Sequence, residues 1–102
     1  MPYNTAMTTI PKDLEKVQQM YEKLALEKSE EFAAGFSTYM VDVDYHKQDP
    51  DEALRAIIWL RRVVDWPELV DDVLSGEIES DLVKGFEFGR RYSQEVKYTY
   101  KD

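Results

Sequence analysis

The chain has 102 residues, 43 % of them apolar and 13 % aromatic, enough to fill the packed core of one domain. Twenty-one acids against thirteen Lys and Arg leave a net charge of −8, a poor surface for phosphate backbones, which bind through clusters of cations. No cysteine is present, which excludes a thiol nucleophile, a disulfide framework, an iron–sulfur cluster and a thiolate zinc site.

Residues 1–9 are polar and without periodicity, and are expected to be loosely held within a single 1–102 domain. Thr8, Thr9 and Pro11 read as a helix start, and Leu14, Val17, Tyr21 and Leu24 follow at helical steps. Charge at Lys28-Ser29-Glu30-Glu31 interrupts the stripe, so an end or a bend is expected there. A second stripe runs through Phe32, Phe36, Tyr39 or Met40, and Val43. Met40 to His46 also alternates at the strand period, as does Val96 to Tyr100, so a minor two-stranded ribbon from 40–46 and 96–100 stands beside the helical reading.

Asp49-Pro50-Asp51-Glu52 combines an N-cap acid, proline at the first position and a glutamate three residues after the cap, the start of a further helix. Its apolar face takes Leu54, Ile57, Leu60 or Arg61, and Val64, widened by Ala53, Ile58 and Trp59. Asp65-Trp66-Pro67-Glu68 repeats the device and predicts a short helix, which Gly76 closes. Ile78, Leu82, Gly85, Gly89, Tyr92 and Val96 then step by 4, 3, 4, 3 and 4, a heptad-like stripe with Phe86 beside it. Short loops between four or five helices predict an all-α fold, a compact antiparallel bundle.

No catalytic constellation emerges. His46 is the sole histidine and has no nucleophile paired with it by any motif, so a cap or surface role is the plainer reading. Arg61-Arg62 and Arg90-Arg91 point apart on helices and read as ion-pair partners of the excess acids. The carboxylates Glu27 and Glu30, and Glu68 and Asp71, stand at i, i+3. These two pairs resemble the Glu-x-x-Glu and Glu-x-x-Asp pairs of the all-α pyrophosphohydrolases of the MazG kind. The resemblance covers those four positions and implies magnesium-dependent nucleotide hydrolysis as an alternative function.

The strongest functional signal is the run from Asp65 to Asp81, with seven acids and no base. Trp66, Leu69, Val70, Val73, Leu74 and Ile78 are threaded through it at helical spacing, so the charge sits on an ordered scaffold. Such a patch keeps a protein soluble, and it also repels nucleic acid and attracts basic surfaces. The preferred expectation is a small non-enzymatic binding protein that inhibits or modulates a basic partner, nucleic-acid-binding proteins among the candidates, in the manner of phage-type inhibitors, immunity proteins and DNA mimics. Asp65, Trp66, Glu68, Asp71, Asp72, Glu77 and Glu79 are the expected contact residues, with no cofactor. Gly85, Gly89, Tyr92 and Val96 form an expected seam for a close helix–helix crossing, within the chain or between two copies, and read preferentially as the oligomer seam of a homodimer. The longest uncharged apolar run, Ala56 to Leu60, is far short of a bilayer span, and no secretory signal opens the chain, so a cytoplasmic location is expected.

Overall fold

A computed structural model describes residues 12–101, with side chains from 14 to 95. Helix α1 spans Lys12–Glu27, α2 Glu30–Ser37, α3 Pro50–Leu60, α4 Val70–Ser75 and α5 Asp81–Lys101. A π-helical stretch, Thr38–Tyr45, prolongs α2, and a 3-10 turn, Pro67–Leu69, leads into α4. The expected all-α bundle is the observed fold. The helix start at Thr8, Thr9 and Pro11 and the looseness of residues 1–9 fall outside the described residues.

The boundaries follow from local chemistry. At the charged break after α1, Ser29 is extended and its Oγ accepts from the Phe32 backbone N–H at 3.0 Å, with Glu30 and Glu31 in the first turn. Asp49 caps α3 by accepting from Glu52 N–H at 3.0 Å, ahead of Pro50. Each cap satisfies one of the amide donors that a helix start leaves unpaired. Gly76 ends α4 at φ +90°, a left-handed conformation that glycine adopts without a Cβ penalty.

The ribbon alternative is corrected. No strand occurs among the described residues; 40–45 lies in the π-helical stretch and 96–100 in α5. The alternation of Met40 to His46 is absorbed by a helix that buries Met40 and Val43 and half-buries Asp42 and Asp44. His46 N–H donates to the Val41 carbonyl at 2.9 Å, the i→i−5 bond of a π turn. Asp44 accepts from Ser93 Oγ at 2.8 Å, which ties the end of this segment to α5.

The architectural centre is the pair α2 and α5, and it is parallel. Ser29 Oγ donates to Asp81 Oδ2 at 3.0 Å where the two helices begin. Farther along, Gly85 faces Phe32, Gly89 faces Phe36 and Tyr39, and Ser93 meets Asp44, so the register advances in the same direction on both. These two helices are not consecutive in the chain. The intervening α3 and α4 carry it back to the starting end.

Glycines set the closeness of this pair. A Cβ at Gly85 would fall on the Phe32 carbonyl, 2.7 Å from its carbon, and one at Gly35 would fall on the Leu82 carbonyl, 2.8 Å from Phe86 N. The obstacles are backbone atoms on both sides and cannot swing away. Gly85 and Gly89 are thus consumed within the chain, while Tyr92 packs its edge on Phe36 with centroids 5.3 Å apart. This corrects the expected seam between two copies. The Val96 side chain, the fourth seam position, lies outside the described residues, as do those of Tyr98 and Tyr100.

Two apolar clusters flank the pair. On one side Val17 and Leu24 of α1 pack with Ala33, Phe36 and Met40, joined by Phe88 and Tyr92. On the other, Leu54 and Ile58 of α3 and Val70 and Val73 of α4 close over Ala34, Leu82 and Phe86. Phe36, Met40, Ile58, Val73 and Leu82 are fully buried. Trp59 and Leu60, expected on the apolar face of α3, are instead exposed.

Candidate functional site

The acidic run begins where α3 ends. Val64 is buried ahead of it, and Val70 and Val73 are buried behind its first turn. Hydrophobic burial pins those points, so the residues between them are pushed outward. Asp65, Trp66, Pro67 and Glu68 are all exposed. Trp66 keeps 63 % of its surface in water, unusual for the largest apolar side chain.

The Asp65-Trp66-Pro67-Glu68 pattern predicts Asp65 as the cap of a new helix, and the structure corrects this. Pro67 opens a 3-10 turn whose capping residue is Trp66, with no side-chain cap bond, and the turn closes by Leu69 N–H donating to the Trp66 carbonyl at 3.0 Å. Proline at the first position fixes φ, and the short 3-10 turn takes up the reversal before α4 can start. Asp65 is thereby released to solvent beside the indole.

The rest of the run divides. Asp71 accepts from Arg55 Nη2 at 2.9 Å, bridging α4 to α3, and this hydrogen bond is the main cause that raises the Arg55 guanidinium above its ordinary pKa. Glu79 lies 3.4 Å from Lys84 Nζ, and Asp81 receives the Ser29 hydroxyl. Asp72 is half-buried, and its carbonyl closes the end of α4 by accepting from Ile78 N–H at 3.1 Å. Glu77 is exposed after Gly76. Among the described residues, Asp65, Glu68, Asp72 and Glu77 have no cation within 4.0 Å. The expected contact set is therefore not one uniform face: Asp65, Trp66 and Glu68 share a turn, while Asp71 and Glu79 are partly spent on internal pairs.

A residue that sequence reading treated as core joins this turn. Trp59, Arg62, Val64 and Asp65 line a cleft of about 240 Å³, so the exposed Trp59 shares a cleft with Asp65, the sequence neighbour of the exposed Trp66. Arg62 has φ +54°, the left-handed conformation that reverses the chain after α3. The available signal was positional: Trp59 sits one residue from buried Ile58 and so faces well away from it on a helix.

The carboxylate pairs do not converge. Glu30 and Glu31 both face Arg61, whose guanidinium is raised above its ordinary pKa chiefly by the hydrogen bond to Glu31, and Asp71 faces Arg55. Among the described residues no group of three or more carboxylate or imidazole side chains is disposed to hold a metal. Among the described residues Glu27, Glu30, Glu68 and Asp71 are not brought together as one such group. His46 is exposed at the end of the π-helical stretch, its ring edge-on to Tyr45 at 5.0 Å. Arg61 and Arg90 meet acids as expected, Arg90 reaching Glu87 at 3.4 Å. No helix among the described residues is long and apolar enough to cross a membrane.

No protein-family model matches the chain, and no curated protein or solved structure matches it either. Its own residues therefore carry the functional reading.

Proposed function

We propose that this chain is a non-enzymatic binding protein whose Asp65–Glu68 turn engages a basic protein surface and blocks or modulates it. The observation that carries the reading is Trp66, mostly exposed and flanked by two carboxylates without a cation within 4.0 Å among the described residues. An indole held out by a turn anchored at Val64 and Val70 offers a large apolar contact at little entropic cost, and Trp is enriched at interface hot spots. The acids speed encounter with a positive surface, and the net charge of −8 disfavours direct binding to nucleic acid. Trp59, across the cleft from Asp65, supplies a second anchor. A basic nucleic-acid-binding protein is the kind of partner such a surface fits, in the manner of inhibitors and DNA mimics.

Affinity capture from a host lysate, with the retained proteins identified and compared between the wild type and Trp66→Ala, tests this. A basic protein retained by the wild type and lost from the variant is the expected result. Retention that ignores Trp66, or tight binding of the chain to duplex DNA at about 150 mM salt, overturns it.

A further inference from the structure

Lys84, Phe88 and Arg91 stand at i, i+4 and i+7 on α5, beside the glycine stripe that packs on α2, with Phe88 itself against Phe32 and Phe36. With Phe32, Val83 and Glu87 they line an open groove of about 380 Å³, within the size range that accepts one bulky side chain or small ligand. Its floor is aromatic, Phe32 and Phe88 lying 5.6 Å apart between centroids. Its rim carries more cations than acids: Lys84, shared with Glu79 at 3.4 Å, and Arg91 are exposed, Glu87 is engaged by Arg90 at 3.4 Å, and Lys28 Nζ lies 5.8 Å from the Phe32 ring centroid. A neighbouring groove of about 320 Å³ is lined by Lys16, Gln19, Met20, Lys23 and Tyr92, without an acid. In a chain of net charge −8, these apolar grooves carry the opposite sign.

A cationic rim repels the basic surface assigned to the acidic turn, so the groove is no extension of that site. It calls for an acidic occupant with an apolar anchor. The chain itself displays one in Asp65-Trp66-Pro67-Glu68, and Trp66 does not line the groove of its own copy. We propose that the groove receives the Asp65–Glu68 turn of a second copy, with the Trp66 indole against Phe32 and Phe88 and the two carboxylates against the Lys84 and Arg91 heads. The contact is heterologous: each copy offers one turn and one groove, so association continues head to tail unless a ring closes. The inference stands apart from the partner reading, although a second copy and a basic partner compete for the same turn.

Charge reversal on each side tests it with the purified chain alone. Light scattering across a wide concentration range, at ionic strengths of about 0.01 M and about 1 M, gives the mass, since screening lengths shorten tenfold between the two. The wild type is expected to rise above the 12.0 kDa of one chain at low salt and to return to it at high salt. Asp65→Lys/Glu68→Lys sets a basic turn against a basic groove, and Lys84→Glu/Arg91→Glu sets an acidic turn against an acidic groove. Each stays at one chain's mass on its own. Their equimolar mixture restores association, because every turn then finds a groove of opposite sign. The altered residues are exposed, and an unchanged helical circular-dichroism spectrum verifies each fold. A wild type that stays at 12.0 kDa at low salt overturns the proposal and leaves the groove to an acidic segment of a different protein. Association that survives both reversals, or a mixture that stays monomeric, overturns it equally.

Discussion

Replacing Gly85 with alanine adds one methyl group at the closest approach of α2 and α5. Its position is 2.7 Å from the Phe32 carbonyl carbon and 3.0 Å from Phe32 Cα, against 3.4–4 Å for ordinary contact. The Phe32 carbonyl oxygen lies closer still, so the helices must part by more than the 0.7 Å that would clear the carbonyl carbon, and a gap of about 0.5–1 Å already forfeits roughly a quarter to a half of each dispersion contact it opens. Overpacking of this kind costs about 1–3 kcal/mol. Alanine recovers about 1 kcal/mol of helix propensity over glycine. With backbone on both sides of the clash the cost lies at the upper end, which leaves a net loss of about 2 kcal/mol. For a domain of this size that lowers Tm by on the order of 10 °C. Gly89→Ala, whose added methyl group meets the Tyr39 Cβ at 2.9 Å and the Phe36 oxygen at 3.1 Å, is expected to lose less. Urea unfolding followed by circular dichroism measures both. A Gly85→Ala chain as stable as the wild type would show that the α2–α5 seam is not packed as described.

Asp49→Ala removes the acceptor for Glu52 N–H and is expected to cost about 1 kcal/mol, read from the same unfolding curves. Burial pushes the Tyr39 phenol above its ordinary pKa of 10.0, opposed in part by Arg90. A raised folded-state pKa means the neutral phenol is favoured in the fold. Its contribution is complete below pH 10.0 and is lost as pH rises through the higher folded value. Tyr39→Phe should therefore flatten the loss of stability above pH 10.0 and remove a component of tyrosinate absorbance that titrates above pH 10.0. Magnesium should leave Tm unchanged, because Glu30 and Asp71 face arginines rather than each other; a rise in Tm that Glu30→Gln abolishes would contradict that geometry.

What the sequence made legible is local. The Asp49-Pro50 start, the Gly76 stop and the break at Lys28–Glu31 each rest on chemistry confined to a few neighbouring residues. The α5 stripe of Leu82, Gly85 and Gly89 was legible too, because periodicity names the face a helix buries. Periodicity does not name what covers that face or in which direction it runs. Gly85 therefore read as a seam between copies, although Phe32 of α2 fills it. Gly35 is its counterpart against Leu82, yet in isolation it registers only as a weak helix former. At the candidate site the acids were visible and their division was not. Arg55 claims Asp71 from sixteen residues away, and whether Trp66 is core or surface depends on the burial of Val64 and Val70 around it. The cationic groove is not legible in the sequence because Lys84 and Arg91 lie off the glycine stripe, and nothing local places them beside Phe32 of α2.

The central claim divides the work of the acidic turn: carboxylates steer the partner in, and Trp66 holds it. Association and dissociation rates of the captured basic protein, measured against ionic strength, test that division most directly. For the wild type the association rate should fall steeply with added salt; Asp65→Lys/Glu68→Lys should slow association and flatten that dependence. Trp66→Ala should leave association nearly unchanged and speed dissociation by at least about tenfold, the equivalent of a loss of about 1.4 kcal/mol. An association rate indifferent to salt, together with a dissociation rate indifferent to Trp66, would contradict the account.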